Sequence, residues 1–498
     1  MMSPLKLTRF LAPLYRHWLE IGLVLLAGWS MVAVSAAYAS MEYTSDGFHV
    51  FTALRNTLHG IGFFYEGPTY GYLLGVHSYL TLLLLLPVLA IFDSPLTLGL
   101  IAPLCHIVGA WVFFRICQDF LLEDDTLAAV AAVLYLFFSP SFSMMTHIYL
   151  FQADQLFEPL FMAAVYFGFA GRWRLAHLFA VLVLFLKEEY LVVYPLMFVL
   201  VWYAARRSGR ITTMSTRRAL QQAALWGSSA LVCLGVLMYF RDLNPYSYGV
   251  RLPYFNLPWV SWGISIDAIV FFLRPLVPLV VVLAWLPLRT RRPLFVSLLA
   301  ILVVRFGMQI YIYNRIPQYH WNNVVLAPAV FLSIALFVFP YLSQVTRMQR
   351  RVLIAAMSLG ILVCLWDVRQ GNHTRYVLLH TVTERGAWNR ELTVQLDQLA
   401  AAMPESRSPR DFIILPQYTF APLLKGRSAV GLNILMTDLD MEDAERRPAL
   451  LREAAYVVLP KEETAVLPFD PTNVSQPFLQ THHLKVETRD YYLYGKRE

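Results

Sequence analysis

Long apolar runs parted by short connectors fill residues 19–368 of this chain, and they leave its backbone few options. A segment in lipid must satisfy every N–H and C=O within itself, so runs of this kind have to be helices. Crossing the hydrocarbon takes roughly 20 residues. Eleven runs meet or approach that length: 19–40, 95–117, 126–140, 155–171, 175–188, 189–205, 219–240, 264–287, 294–313, 322–343 and 352–368. Their connectors sort by charge. Lys6, Arg9 and Arg16, then Arg172 and Arg174, Arg206-Arg207 through Arg217-Arg218, Arg289, Arg291 and Arg292, and finally Arg347, Arg350 and Arg351 form basic clusters. Connectors 41–94, 141–154, 241–263 and 314–321 carry few basic residues. With every basic cluster in the cytoplasm, the chain reads as multi-pass in the cytoplasmic (inner) membrane, N-terminus inside and C-terminus outside. The alternation requires that Ser78–Phe92 does not cross. That stretch is about fifteen residues and contains Pro87, so it reads as an interfacial or re-entrant helix on the outer side. The inner connector Glu123-Asp124-Asp125 is acidic, but acids count little in this rule.

Composition points the same way. Charged residues make up 15% of the 498 and hydrophobic ones 58%, where a soluble chain would carry roughly 25% charge. A net charge of +7 could suggest a nucleic-acid partner. The arginines lie in short clusters between apolar runs, however, which is a topology signal and not a binding groove, so no nucleic acid is expected. Cys105, Cys117, Cys233 and Cys364 all lie in apolar runs without metal-ligand spacing and read as small hydrophobes. The first run is long and others follow it, so it reads as a retained anchor in preference to a signal peptide. After residue 370 the chain turns charged and contains no further run. There Trp388–Met403 reads as a helix, Asp411–Leu415 and Tyr456–Leu459 as strands, and Leu484–Tyr494 as a strand or hairpin. The expected organisation is an all-α polytopic bundle over 1–369, with first outer loop 41–94, and a small extracytoplasmic α/β domain over 370–498.

The segment from Ser45 to Gly60 carries the clearest functional signal. At 100° per residue Asp46, His49, Thr52, Asn56 and His59 share one face, Val50, Phe51, Leu54 and Leu58 the other, and Arg55 lies at the border. Such a helix suits a membrane interface, apolar side in the headgroup boundary and polar side toward a pocket. Ionisable groups at membrane depth are costly and are functional candidates by default. On the outer side they include Asp46, His49, His59, Glu66 and His77 in the first loop, His147 and Asp154 in the second, and Glu158 just inside the next run. Lys187-Glu188-Glu189 sits at an outer turn, Arg274 and Arg305 in later runs, and Tyr319-His320 at the start of the tenth. Any one of them is accounted for as an interfacial or self-neutralised residue; their common side is what calls for a reason. No spacing resembles a zinc site or a nucleophile triad, and no Gly-rich phosphate loop is present. Carboxylates and cations facing outward suit group transfer from a lipid-linked phosphate, with a carboxylate taking a hydroxyl proton or holding a divalent ion and Arg or Lys stabilising the departing phosphate.

From Asp46 to about Tyr190 the chain resembles an uncharacterised prokaryotic polytopic family known as domain of unknown function 2079. Its opening motif runs roughly Y-D-L-G-x-x-x-Q-x-x-W-N-T-x-x-G. Asp46, Asn56, Thr57 and Gly60 follow it, with His59 among them, and Ser45, Phe48 and Arg55 depart. The family's G-D-H stands here as Gly75-Val76-His77, its F-H-P-E as Phe151-Gln152-Ala153-Asp154, its K-E-D as Lys187-Glu188-Glu189, and an H-Y-like element as Tyr319-His320. That family is similar in layout to the GT-C glycosyltransferases, which include protein mannosyltransferases and aminoarabinose transferases. The likeness implies a GT-C-like bundle with Asp46 as first-loop catalytic acid, Asp154 as second-loop acid and Lys187 as the lysine near the fifth helix. His59, His77, Lys187, Arg305 and His320 become substrate-binding candidates, and Asp46 with Asp154 could hold Mg or Mn. The implied activity moves a sugar from a polyprenyl-phosphate donor to a cell-envelope acceptor on the outer face, among membrane lipids. Alternatives are a transporter or flippase of lipid-linked substrates, whose charges would line a path between both faces, and a non-catalytic envelope scaffold.

Overall fold

The apolar runs fold as helices. The structure, a computed structural model, describes residues 17–39, 46–67, 71–122, 125–138, 142, 150–208, 215–244, 277, 292, 294–296, 298–299, 320–342, 346–370, 386–406, 408, 411–416, 423, 427–431, 446–461 and 480–497. Helix α1 (Trp18–Ala39) is followed by α2 (Asp46–Leu58), a small antiparallel ladder of β1 (Tyr65–Gly67) and β2 (Gly71–Tyr72), and a 3-10 segment at Leu80–Leu85 that runs into α3 (Leu86–Ile91). Next come α4 (Pro95–Ile116), which ends in a π turn at Cys117–Leu121, and α5 (Asp125–Leu136). A 3-10 turn at Ala153–Leu156 leads into α6 (Phe157–Phe169), then α7 (Trp173–Leu184), α8 (Tyr190–Ser208) and α9 (Thr216–Leu243). Helices α10 (His320–Leu342) and α11 (Arg347–Gln370) complete the bundle among the described residues. The start of α4 shows its sequence logic: Ser94 Oγ accepts from the Leu96 N–H and Pro95 takes the first helical position, where no N–H is needed.

Among the described residues, four helical stretches are long and apolar enough to cross a membrane: Trp18–Tyr38, Pro95–Leu121, Thr216–Leu243 and Arg347–Trp366. That is fewer than the eleven expected. Asp125–Leu136 and Trp173–Leu184 are shorter apolar helices; twelve residues rise only about 18 Å against a hydrocarbon core of about 30 Å, whereas Tyr190–Ser208 runs for 19 residues and His320–Leu342 for 23. The shortening has a local cause at 175–188, where α7 stops at Leu184 because Lys187-Glu188-Glu189 form the turn into α8. The expected run 264–287 and most of 294–313 lie outside the described residues. Leu80–Ile91 is likewise too short to cross alone, in keeping with its reading as a non-crossing helix.

Helix α2 departs from the interface reading. Val50, Phe51 and Leu54 join the main apolar core, yet His49, Thr52 and Asn56 on the opposite face are buried as well. The polar side meets protein: it packs on β1, where Asn56 Nδ2 donates to the Tyr65 carbonyl at 2.8 Å and His49 pairs with Glu66.

The C-terminal part is a five-stranded sheet in the order β4-β3-β5-β7-β6. Strands β3 (Phe412–Leu415), β4 (Ser428–Gly431) and β5 (Tyr456–Pro460) are parallel, and β6 (His482–Glu487) with β7 (Tyr491–Lys496) forms an antiparallel hairpin. Side chains alternate between faces. Phe412, Ile414, Val457 and Leu459 pack with Leu450 and Leu451 of α13 (Arg446–Glu453). Ile413, Leu415 and Val458 pack with Leu392, Leu396 and Leu399 of α12 (Gly386–Ala401). That second cluster continues into the bundle through Ala33, Val34 and Ala37 of α1, Phe48 of α2, and Leu150. Strand β4 also lies against β1.

Candidate functional site

Two apolar helices, α7 and α8, must reverse direction, and the residues that do so are Lys187, Glu188 and Glu189. Charges in a turn normally face water. Here all three are buried, because the turn is covered by segments from two other connectors. Lys187 Nζ lies 3.7 Å from Asp154 Oδ1 and 3.2 Å from Glu189 Oε1. The Tyr190 hydroxyl donates to the same Asp154 Oδ1. Asp154 and Lys187 are 1% and 5% exposed. On the other side of the turn Glu188 Oε1 meets His77 Nδ1 at 2.8 Å, and its Oε2 accepts from the Ser78 N–H at 3.3 Å. The three-residue turn thus ties the 77–78 segment and the 153–156 turn to one point. Unit charges about 4 Å apart interact by roughly 4 kcal/mol at the effective dielectric of a partly buried site, so this arrangement is strongly ordered by its charges.

The segments that deliver the acids are built with backbone tension. Among the described residues, Phe64 and Leu150 are the non-glycine residues with positive φ, at 54° and 61°, a region that costs an L-residue roughly 1–2 kcal/mol. Leu150 directly precedes Phe151-Gln152-Ala153-Asp154, and Phe64 precedes Tyr65-Glu66. The Asp154 turn is then closed by Gln152, whose N–H donates to Gln155 Oε1 at 3.0 Å. Gly75 has a different reason to be small. A Cβ there would fall 2.6 Å from Asn244 Nδ2 and 2.9 Å from the Arg241 nitrogen, because the end of α9 passes against it. Asn244 in turn bonds the Tyr72 N–H at 2.6 Å and the Tyr72 carbonyl at 3.2 Å. Gly75→Ala is therefore expected to push α9 from the 72–77 segment, shift His77 off Glu188 and lower stability by about 1–3 kcal/mol in thermal unfolding.

A second buried network lies one helical turn beyond Asp154. Glu158, in the first turn of α6, takes the Tyr135 hydroxyl on Oε1 and lies 2.8 Å from His106 Nδ1 through Oε2. His106 Nε2 donates to the Leu136 carbonyl at 2.7 Å, a group free at the end of α5. Helices α4, α5 and α6 are thus joined beneath the turn that bears Asp154.

Of the residues singled out in the sequence, the structure brings His77, Asp154 and Lys187 to the 187–189 turn. It pairs His59 elsewhere: His59 Nε2 lies 3.4 Å from Asp93 Oδ2, which also takes Arg55 Nε at 3.0 Å, in a partly exposed cluster. Asp46 is the first residue of α2 and His320 the first of α10, a helix that packs on the Ala153–Leu156 turn; their side chains, and all of Arg305, lie outside the described residues. Local reading missed the tyrosines, Tyr135 and Tyr190, and the histidine inside α4, His106. A histidine within an apolar run was the available signal. Among the described residues no group of three His, Cys, Asp or Glu side chains is placed to hold a metal ion. Lys187 already stands as the cation between Asp154 and Glu189.

Comparison with known proteins adds the fold. The chain is similar to two solved structures of ArnT from Cupriavidus metallidurans. Against the apo state the TM-score is 0.55 at 12% identity, covering 95% of this chain and 98% of that one. Against ArnT bound to undecaprenyl phosphate it is 0.53 at 11% identity with the same coverage. At such identity the likeness concerns the fold alone. A comparison with curated proteins finds no match. Residues 50–249, which carry β1, His77, Asp154 and the Lys187 turn, match the family model described as predicted membrane protein (DUF2079).

Proposed function

We propose that this chain is a membrane glycosyltransferase that takes a sugar from a polyprenyl-phosphate donor and passes it to a cell-envelope acceptor at the outer face of the cytoplasmic membrane. The observation that carries this reading is the buried Asp154–Lys187–Glu189 cluster, shared between two connectors of a GT-C fold. The similar ArnT structure bound to undecaprenyl phosphate supports the donor class. In the step, an acceptor hydroxyl oxygen bonds the sugar's anomeric carbon while the bond from that carbon to the phosphate oxygen breaks. The hydroxyl proton passes to a carboxylate, Asp46 or Asp154, and the electron pair leaves on the polyprenyl phosphate. Lys187 is suited to offset that phosphate's charge, and His77, Arg305 and His320 to orient it. In this route Lys187 supplies the cation beside Asp154. Transfer is accordingly expected to survive chelation with EDTA; its loss would reinstate an Asp46–Asp154 metal pair.

Complementation tests the reading. Deleting the gene should change the envelope glycan profile, and wild type should restore it where Asp154→Asn and Asp46→Asn do not, with turnover lower by about 10²–10³-fold. Full restoration by Asp154→Asn would remove that residue from the mechanism. A flippase would bind the same lipid and transfer nothing, so radiolabel from a lipid-linked sugar appearing on an envelope fraction separates the two.

A further inference from the structure

We propose that the arginine-bearing end of the bundle, remote from the 187–189 turn, holds the headgroup of an anionic phospholipid where α6, α7, α8 and α9 meet. Trp173 opens α7, Trp202 lies near the end of α8, and Arg218 is in the first turn of α9. The two indole rings stack with centroids 5.5 Å apart, and the Arg218 guanidinium sits 5.1 Å over the Trp173 ring. One turn further on, Gln222 Nε2 meets His177 Nδ1 at 2.8 Å and ties α9 to α7. The helix ends therefore form one aromatic floor.

Around it Arg172, Arg174, Arg206, Arg217 and Arg218 are all exposed. Segments 171–178, 201–206 and 215–222 contain no Asp or Glu to neutralise them. Two acids described at the same end of the bundle are engaged: Asp119 takes Arg115 at 3.0 Å and the Tyr166 hydroxyl at 2.9 Å, and Asp125 takes Gln118. A second observation points to the same chemistry. The indole N–H groups of Trp173 and Trp202 are buried with no acceptor among the described residues, which is rare for buried donors, and a phosphodiester brings acceptor oxygens only. The membrane supplies the position. Helix α9 is long and apolar enough to cross, so its arginine-bearing first turn falls at headgroup level. Leu175 and Leu178 of α7 and Leu220 and Trp226 of α9 are exposed beside it, an apolar bed for acyl chains. Charge above and apolar surface below describe an anionic phospholipid, in keeping with basic sites between helix ends.

The test uses the purified full chain with phosphatidylglycerol or phosphatidylcholine, read by native mass spectrometry and by thermal unfolding. Phosphatidylglycerol should be retained selectively and should raise the unfolding temperature, less so at high salt. Arg174→Gln and Arg218→Gln should each weaken retention about fivefold, and Trp173→Phe, which keeps a ring but removes the N–H, should weaken it too. Equal retention of the two lipids by wild type overturns the proposal without recourse to any variant. So does undiminished phosphatidylglycerol retention by a folded Arg174→Gln/Arg218→Gln protein. Neither outcome bears on the transferase reading.

Discussion

Lys187→Met is expected to stop transfer and to weaken the fold at the same time. Removing the ammonium leaves Asp154 and Glu189 buried near one another with no cation between them. Removing one partner of a buried ion pair typically costs about 3–5 kcal/mol, a loss that thermal unfolding of the purified protein will register. The chemical loss is separable from it. In the double variant Lys187→Met/Glu189→Gln one buried carboxylate, Asp154, is left in place of two, so stability should return in part. Transfer should stay down by about 10²–10³-fold, because no ammonium then offsets the charge of the departing phosphate. A double variant that recovers both stability and transfer would make Lys187 a structural counter-ion.

The second large effect concerns His106 and Glu158. His106→Leu leaves Glu158 deep in the bundle with only the Tyr135 hydroxyl, and Glu158→Leu strands His106 Nδ1. Each single variant should lose about 3–5 kcal/mol. Replacing both leaves only the Tyr135 hydroxyl and the Leu136 carbonyl without these partners, so the double variant should be less destabilised than the sum of the singles. A double-mutant cycle by thermal unfolding measures this directly, and additive losses would show that the pair is not coupled. Glu158→Gln keeps an acceptor for Tyr135 and offers an N–H to His106, so it should keep most of the wild-type stability.

What could be read in the sequence follows from what is local. Long apolar runs mark α1, α4, α9 and α11, and the composition change after 370 marks the strands, with Leu484–Tyr494 resolved as the β6–β7 hairpin. The Lys187-Glu188-Glu189 turn was visible because three charges between two apolar runs have few places to go. Pairing across the chain was not visible. Glu66 lies 17 residues from His49, Glu158 lies 52 from His106, and no periodicity links them. For the same reason the polar face of α2 suggested a pocket when in fact protein fills it. His59 continues that face in sequence, but the end of α2 carries it to Asp93 instead.

The apolar cluster shared by α1, α2, Leu150, α12 and the sheet sets an order for biosynthesis. Ala33, Val34, Ala37 and Phe48 leave the ribosome some 350 residues before Leu392, and their partners in the sheet extend to Leu493 near the end of the chain. Until those last residues are made and pack against them, the early helices hold an apolar surface open. Chains halted before residue 390 should therefore be marked for proteolysis even with every membrane helix inserted.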